Sequence, residues 1–381
     1  MTSACRVLVL NERGPLHPQA GGAEVHVAEI SRRLAPLGFE ITQLACGFPG
    51  AKPVEALDGM TVRRLGNLAV YYPRAVLTTA WETFRGRFDV VVEHLNKVPF
   101  CSRAYSSVPV IAVNHHLFGT SAFLQVAWPI AATVVGIEKL IPLIYRRMPF
   151  LAVSESSKQD LIERGIRAER IDLLYNGITF PRIEIRPVTQ RPCRVAYLGR
   201  LEPYKRIALL LGAVARLAKR LPRLELVLVG RGSERDALER LAAELGIARR
   251  TRFAGFVSDE ERDALVGEAR VCVCPSIKEG WGITVIEANA LGVPVVATDA
   301  PGLRDAVRHD ETGLLVADAA PEVFTERLAA AMERLLSDET LLARLSSEAL
   351  AWSRRFDWDS SAQRMAEVIE QTRRPRRAVK N

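Results

Sequence analysis

The sequence predicts an α/β protein built from two Rossmann-like, doubly wound domains facing a cleft. Three observations carry the prediction. The chain has 381 residues, a length for which two domains are the first expectation. It opens on an apolar strand, a glycine-containing loop and an amphipathic helix, the start of a doubly wound unit. The same order restarts at Val195–Leu198, after a segment, residues 179–192 (TFPRIEIRPVTQRP), with three prolines and little periodicity. That segment reads as the linker, which places the domains at 1–185 and 186–357.

Each series can be followed element by element. Arg6–Leu10 reads as a buried strand, and the loop after it ends in Gly21–Gly22. Ala23–Leu37 has helical spacing at Val25, Ala28 and Leu34, with Gly38 as its stop. The loop is not G-x-G-x-x-G, so a dinucleotide fingerprint is absent. Further strands are expected at Ile41–Ala45, Thr61–Arg64, Val90–Glu93, Val110–Val113, Leu151–Val153 and Ile171–Leu174. Ser156 and Gln159 have the pattern of a capping box for a helix ending near Gly165. In the second series, loop Gly199–Lys205 and helix Ile207–Lys219 follow the first strand. Strand Glu225–Val229 is closed by Gly230–Arg231–Gly232. Alternation continues through Val271–Cys274 and Leu314–Val316 to two closing helices, Pro321–Leu336 and Glu339–Phe356. Asp357–Trp358–Asp359 is formally a metal-type D-x-D, but it precedes a helical stretch, so Asp359 is read as an N-terminal cap.

The second series centres on 279–302 (EGWGITVIEANALGVPVVATDAPG). Glu279 falls in a glycine-flanked loop, and Glu287 falls about a turn inside the helix that follows. A glycine-rich helix N-terminus presents free N–H groups and the positive end of the helix dipole, which suit phosphate oxygens. Nearby carboxylates accept hydrogen bonds from hydroxyls. Together these suit a sugar nucleotide. The plainer reading is a helix start with one capping glutamate and one exposed glutamate.

Composition narrows the partners. The chain is 48% hydrophobic and 25% charged, as globular proteins are, with a net charge of +8 and a pI of about 9.4. A basic surface favours anionic partners. No aromatic–basic repeat or zinc-finger spacing points to nucleic acid, which is excluded as a partner. The six cysteines contain no C-x-x-C pair and several lie in apolar runs, so buried thiols in a reducing cytoplasm are expected. The N-terminal apolar run is too short for a signal peptide. Residues 121–137 are almost wholly apolar, broken by Gln125 and Pro129, and read as a buried or groove-lining helix. With Arg146 and Arg147 beyond them, the stretch 121–150 is alternatively a peripheral membrane contact. The basic tail 373–380 is a solvated end or a second contact with anionic lipid.

These residues together resemble the retaining GT-B glycosyltransferases of sequence family 4. The resemblance runs from the first strand to the last helix. EGWGITVIE matches that family's E-x7-E motif, and GRLEPYK matches its G-R-L-x-x-x-K phosphate loop. GGAE at Gly21–Glu24, the strand ending in Asn114–His115–His116, VSESSKQDL at Val153–Leu161 and YNGI before the linker match in order. The resemblance implies a GT-B fold whose C-terminal helix (358–381 with the tail) returns to the N-terminal domain. It implies an acceptor domain first and a donor domain second. It also implies a retaining, metal-independent hexosyltransferase. The co-substrate would be a UDP- or GDP-sugar, with no cofactor, and the acceptor a lipid-linked or cell-surface glycan precursor. By the same resemblance Arg200 and Lys205 hold the donor diphosphate, with amides near Gly22, Gly282 and Ile283. Glu287 takes the ribose, and the segment Gly255–Val257 lies by the base. Glu279, contacting hydroxyls of the donor sugar, and His115, the donor-site histidine, are the catalytic residues. His116 would point elsewhere. The leaving phosphate would help deprotonate the acceptor; Glu279 as a covalent nucleophile is the disfavoured alternative. The expected location is the cytoplasm, at the inner face of the membrane if that contact forms.

The chain departs from the family in three places: Arg231 where an acidic residue is common, Ile178–Thr179 after Asn176–Gly177, and Pro301–Gly302 for a glycine pair. None removes a charged site position. A sugar-nucleotide epimerase and a non-catalytic nucleotide-sugar-binding protein are the alternatives. The paired E-x7-E and G-R-L-x-x-x-K motifs argue against both.

Overall fold

The computed structural model describes residues 4–96, 98–119, 123 and 127–373. It divides into two compact units, residues 1–177 with 357–381 and residues 178–356. The sequence-based seam stood at 185/186.

In the first unit β1 (Cys5–Leu10), β2 (Phe39–Ala45), β3 (Val54–Leu57), β4 (Met60–Arg64), β5 (Val90–Leu95), β6 (Val110–Asn114), β7 (Phe150–Ala152) and β8 (Ile171–Leu173) form one sheet. Its order is β3-β4-β2-β1-β5-β6-β7-β8. Every pair is parallel except β3 with β4. The sequence reading missed β3, a short edge strand without an apolar face. The signal that could have found it is Asp58–Gly59, a two-residue hairpin turn in which Gly59 takes φ +78°.

The helices are α1 (Gly22–Leu34), α2 (Leu68–Phe84), α3 (Trp128–Glu138), α4 (Ile141–Ile144) and α5 (Glu155–Glu163), and the chain's last helix, Trp358–Arg373, joins them. Alternate residues of β1 face opposite layers. Leu8 and Leu10 share a core with Tyr71 and Ala75 of α2, Ile141 of α4 and Leu161 of α5. Val7 and Val9 face Val27 and Ile30 of α1 and Met365 and Ile369 of the last helix. Right-handed crossovers require this division: α1 steps from β1 toward β2, whereas α2 to α5 step the other way along the sheet.

Two caps differ from expectation. Helix α5 is capped by Ser154, whose hydroxyl accepts from the Ser157 amide at 3.0 Å, not by Ser156. The last helix is capped by Asp357, whose carboxylate accepts from the Ser360 amide at 2.7 Å. Asp359 lies inside its first turn and pairs with Arg33 of α1. In both cases two candidate caps stood within two residues of each other, and local pattern alone did not choose between them.

The second unit holds β9 (Arg194–Leu198), β10 (Glu225–Val229), β11 (Thr251–Gly255), β12 (Val271–Cys274), β13 (Val295–Thr298) and β14 (Gly313–Val316). They form an all-parallel sheet in the order β11-β10-β9-β12-β13-β14. Its helices are α6 (Ile207–Leu217), α7 (Arg235–Glu244), α8 (Asp259–Gly267), α9 (Ile283–Ala290), α10 (Leu303–Ala306), α11 (Pro321–Ser337) and α12 (Glu339–Ser353), and the returning helix is α13 (Trp358–Arg373). Helices α6, α7 and α11 bury Leu210, Leu238 and Phe324 in one core. Much of the expected linker belongs to this unit. Val188 is buried, and the fully buried Arg191 donates to the carbonyls of Arg186, Ala269 and Leu291 at 2.7, 3.1 and 2.9 Å. A proline-rich stretch is therefore held by one buried guanidinium, which composition does not reveal.

Among the described residues no helix is long and apolar enough to cross a membrane. Residues 121, 122 and 124–126 of the apolar segment, and 374–381 of the basic tail, lie outside the described residues. The described part of the segment becomes α3, on which Trp128 and Ile130 are exposed rather than buried.

Candidate active site

In an open parallel sheet, ligands bind beyond the C-terminal strand ends where the strand order reverses. In the second unit that point lies between β9 and β12. The loops leaving those two strands carry GRLEPYK and EGWG.

Glycine lets the neighbouring loops meet backbone to backbone. A Cβ on Gly230 would lie 1.9 Å from the Gly199 carbonyl oxygen, and the Leu201 amide donates to the Arg231 carbonyl at 2.9 Å. Gly302 takes φ +79°, and a Cβ there would lie 2.2 Å from the Glu279 carbonyl oxygen. These contacts fix where the charged side chains emerge.

Lys205 is buried, and its Nζ donates to Glu279 Oε1 in an ion pair. Burial pulls the Lys205 ammonium toward neutrality, but the adjacent Glu279 carboxylate outweighs it and holds the group above its ordinary range. Tyr204 sits beside both cations of the loop. Its hydroxyl accepts from Arg200 Nη2 at 2.7 Å, and its ring centroid lies 5.2 Å from Lys205 Nζ. Sequence reasoning missed Tyr204; its place between Arg200 and Lys205 in one short turn was the available signal. Arg200 is exposed and reaches toward solvent at the same strand end.

Gly282 adopts the left-handed conformation at φ +83° and opens α9, whose first residue is Ile283. The amides of Gly282 and Ile283 thus belong to a helix start, four residues before Glu287. Burial pushes the Glu287 carboxyl up to about 7; Arg262 opposes the shift from 3.6 Å, while Asp263 and Asp259 add to it. A carboxyl poised near neutrality can exchange hydrogen bonds with a pair of hydroxyls.

Val257, half-buried, follows β11 and precedes the Ser258 cap of α8. Its neighbour Phe256 is exposed, with the Arg231 guanidinium 4.8 Å from the ring centroid. Arg231 is the residue that departs from the family pattern, and here it forms a cation–aromatic pair at the C-terminal edge of the sheet. Phe256 lies inside the segment Gly255–Val257 that the family resemblance places by the base.

The first unit carries the other two candidates. Gly22 begins α1, just after β1 and its loop, where the Gly21 amide donates to Glu24 Oε2 at 2.7 Å. His115 follows β6 and is buried, with its ring stacked on His94 of β5 at a centroid distance of 5.2 Å. His115 Nε2 and His94 Nδ1 lie 2.9 Å apart, so one donates to the other. His26 of α1 meets both rings edge-on, and its Nδ1 lies 2.7 Å from Asn176 Oδ1. Burial lowers the His26 imidazole to about 4 against the opposing Asn176 bond, and it also lowers His94 and His115. Burial thus favours the neutral form of all three rings. They offer ring nitrogens within 4.8 Å of one another, the ligand type a transition metal takes. His94 and His115 already engage one nitrogen of each ring in a bond with each other. His116 faces the Phe118 ring at 5.1 Å instead of joining the cluster.

Glu93, the residue before His94, anchors the following loop. It accepts from the amides of Phe100 and Ser102 at 2.7 and 3.0 Å and from the Tyr145 hydroxyl. A carboxylate inside an apolar strand marked it in the sequence, and the sequence reading passed over it.

Comparison with known proteins shows the family and the fold. Residues 20–180 match the family model described as Glycosyltransferase Family 4, and residues 183–352 the model described as Glycosyl transferases group 1. The D-inositol 3-phosphate glycosyltransferase of Streptomyces bingchenggensis is 30% identical, over 96% of this chain and 89% of the relative. That of Streptomyces scabiei is also 30% identical, over 95% of this chain and 90% of the relative. Sucrose-phosphate synthase from Thermosynechococcus elongatus has a TM-score of 0.79 at 23% identity, over 96% and 98% of the two chains. Anabaena HepE in complex with UDP-glucose has a TM-score of 0.74 at 20% identity, over 96% and 99%. These two structures share the GT-B fold of two Rossmann-like domains.

Proposed function

Because the chain belongs to the group 1 glycosyltransferases of the family 4 type, we propose that it is a retaining, metal-independent hexosyltransferase. Its donor is a UDP- or GDP-sugar, and its acceptor is a lipid-linked or cell-surface glycan precursor at the inner face of the membrane. The observation that carries this reading is the buried Lys205–Glu279 pair at the switch point of the second sheet. In the reaction the bond from the sugar's anomeric carbon to the donor phosphate breaks, and charge grows on the leaving diphosphate. A fixed ammonium stabilises that charge with no reorganisation at the moment of reaction. Arg200, from the same loop, adds a second cation, and the Gly282 and Ile283 amides add dipoles of the same sign. The acceptor oxygen bonds to the anomeric carbon on the face the leaving group departs from, and its proton passes to the phosphate.

Glu279 has two tasks in this scheme. It compensates the Lys205 charge before donor binds, and it accepts from donor-sugar hydroxyls afterwards. Glu287 takes the ribose, Val257 and Phe256 flank the base, and His115 and Gly22 serve the donor from the first unit. The named relatives act on D-inositol 3-phosphate, which makes a phosphorylated polyol a second acceptor class to try beside lipid-linked glycans.

The test is a donor screen with the purified protein, reading UDP or GDP released from each common nucleotide sugar. Release from one donor is expected. Lys205→Ala should lower it by about a hundredfold to a thousandfold while leaving the circular dichroism unchanged. Turnover like that of the wild type in this variant would overturn the phosphate role. Absence of both release and saturable binding for every donor would overturn the reading as a whole.

A further inference from the structure

Helix α2 lies on the same sheet face as α4, since Tyr71 and Ala75 share a core with Ile141 and Tyr145. Its outer surface is unusual for a soluble helix. Val70, Arg74, Leu77, Trp81 and Phe84 fall on one stripe at helical spacing, and all five are exposed. Leu77 is 70% exposed, Trp81 54% and Phe84 75%. The α3–α4 region on the same side presents Trp128 at 72% and Leu143 at 73%. Exposed apolar area of this kind and extent marks an interaction surface.

The charges say what the surface meets. The only acidic residue in α2 is Glu82, which is buried and bonded to Arg63 at 2.7 Å. The only acidic residue in α3 and α4 is Glu138. It too is buried, and it accepts from the Phe118 and Gly119 amides at 2.7 and 2.9 Å. Both carboxylates thus turn inward. The charges left outside are all positive: Arg74 and Arg85 at α2, with Arg87 just beyond it paired to Glu82 at 3.6 Å, and Lys139, Arg146 and Arg147 around α4. The Arg85 guanidinium lies 4.4 Å from the centre of the Trp81 ring, so a cation and an interfacial aromatic occupy the same spot.

From this we infer that α2, with α3 and α4, forms a face that seats on an anionic lipid bilayer, its aromatic and leucine side chains entering the headgroup boundary and its arginines pairing with lipid phosphates. Amphipathic surfaces bind such membranes by apolar insertion and basic attraction together. A second copy of this chain is a poor occupant, because it would bring like charges into contact. The inference deepens the membrane side of the proposed function and rests on it for its purpose. It does not depend on the chemistry at Lys205.

The experiment is sedimentation of the full chain with lipid vesicles. Phosphatidylcholine alone is compared with an equal mixture of phosphatidylcholine and phosphatidylglycerol, at low and high salt. The wild type is expected on the anionic vesicles only, and to be released by salt. The triple variant Leu77→Ser, Trp81→Ser, Phe84→Ser should lose about a hundredfold in partition. The variant Arg85→Gln, Arg146→Gln, Arg147→Gln should lose a similar factor, at about fivefold per arginine. All six positions are exposed, and soluble nucleotide release should persist in both variants. Equal binding to neutral vesicles, or α2 variants that partition like the wild type, would overturn the inference. So would a soluble dimer that the leucine–aromatic variant converts to monomer. Loss of nucleotide release with vesicle binding intact would count against the transferase reading alone.

Discussion

Lys205 keeps its charge against the pull of burial, which favours the neutral amine. The balance is held by Glu279, so the two residues stand or fall as a pair. Glu279→Ala leaves a buried ammonium without a counterion, and we expect it to cost about 3 kcal/mol in urea unfolding. Replacing both residues by methionine should recover most of that stability while leaving turnover abolished. Glu287 gives a prediction in pH. Its folded-state value of about 7 lies above the ordinary 4.5. The folded chain therefore binds more protons than the unfolded one between those values. Stability from this group is complete below the lower value and is lost as pH rises through the upper one. The urea midpoint of the wild type should fall between about pH 5 and pH 8, and Glu287→Gln should flatten that fall. If ionised Glu287 accepts from the ribose hydroxyls, donor affinity should run the opposite way and strengthen over the same range. At His94, changing the ring to phenylalanine keeps the stacked shape but removes the nitrogen that holds His115 Nε2. An increase of about tenfold in the donor KM is expected, by analogy with residues that orient a ligating imidazole.

At the scale of elements, helix starts carry the most information. Ser154 and Asp357 each satisfy an otherwise unpaired amide, and each leads into a helix of the first unit. Ser154→Ala and Asp357→Ala should each lower stability by about 1 kcal/mol, read as a lower thermal midpoint. These caps were legible only as a cluster of candidates, because one hydrogen bond to an amide selects among them. The strands were read more surely. Apolar runs such as those at β1, β10 and β12 are buried on both sides, and no other element explains so short a run of branched residues. Strand β3 escaped because an edge strand needs no such run.

For the whole molecule, the unusual feature is a chain that crosses between units twice, at Gly177–Ile178 and at Phe356–Asp357. Helix α13 closes the layer begun by α1, with Met365 and Ile369 beside Val27 and Ile30. A chain ended at Phe356 should therefore lose the melting transition of the first unit. The second unit holds its own core and should retain a cooperative transition. Calorimetry of the shortened chain, with nucleotide added as a probe of the second unit, checks both statements.

The sequence by itself determined the two doubly wound units and the two loops that carry the charged motifs, and the family resemblance added the return of the last helix to the first unit. Strand periodicity, glycine at strand ends and the spacing from Glu279 to Glu287 are local properties, written into short windows of the chain. The tertiary structure alone decided that Lys205 reaches Glu279, that Tyr204 lies between two cations, and that His26 and His94 enclose His115. It also turned Glu82 and Glu138 inward and left only positive charge on the outer faces of α2 to α4. Those outcomes depend on which residues distant in sequence share a low-dielectric pocket, and on which side of a helix the core claims.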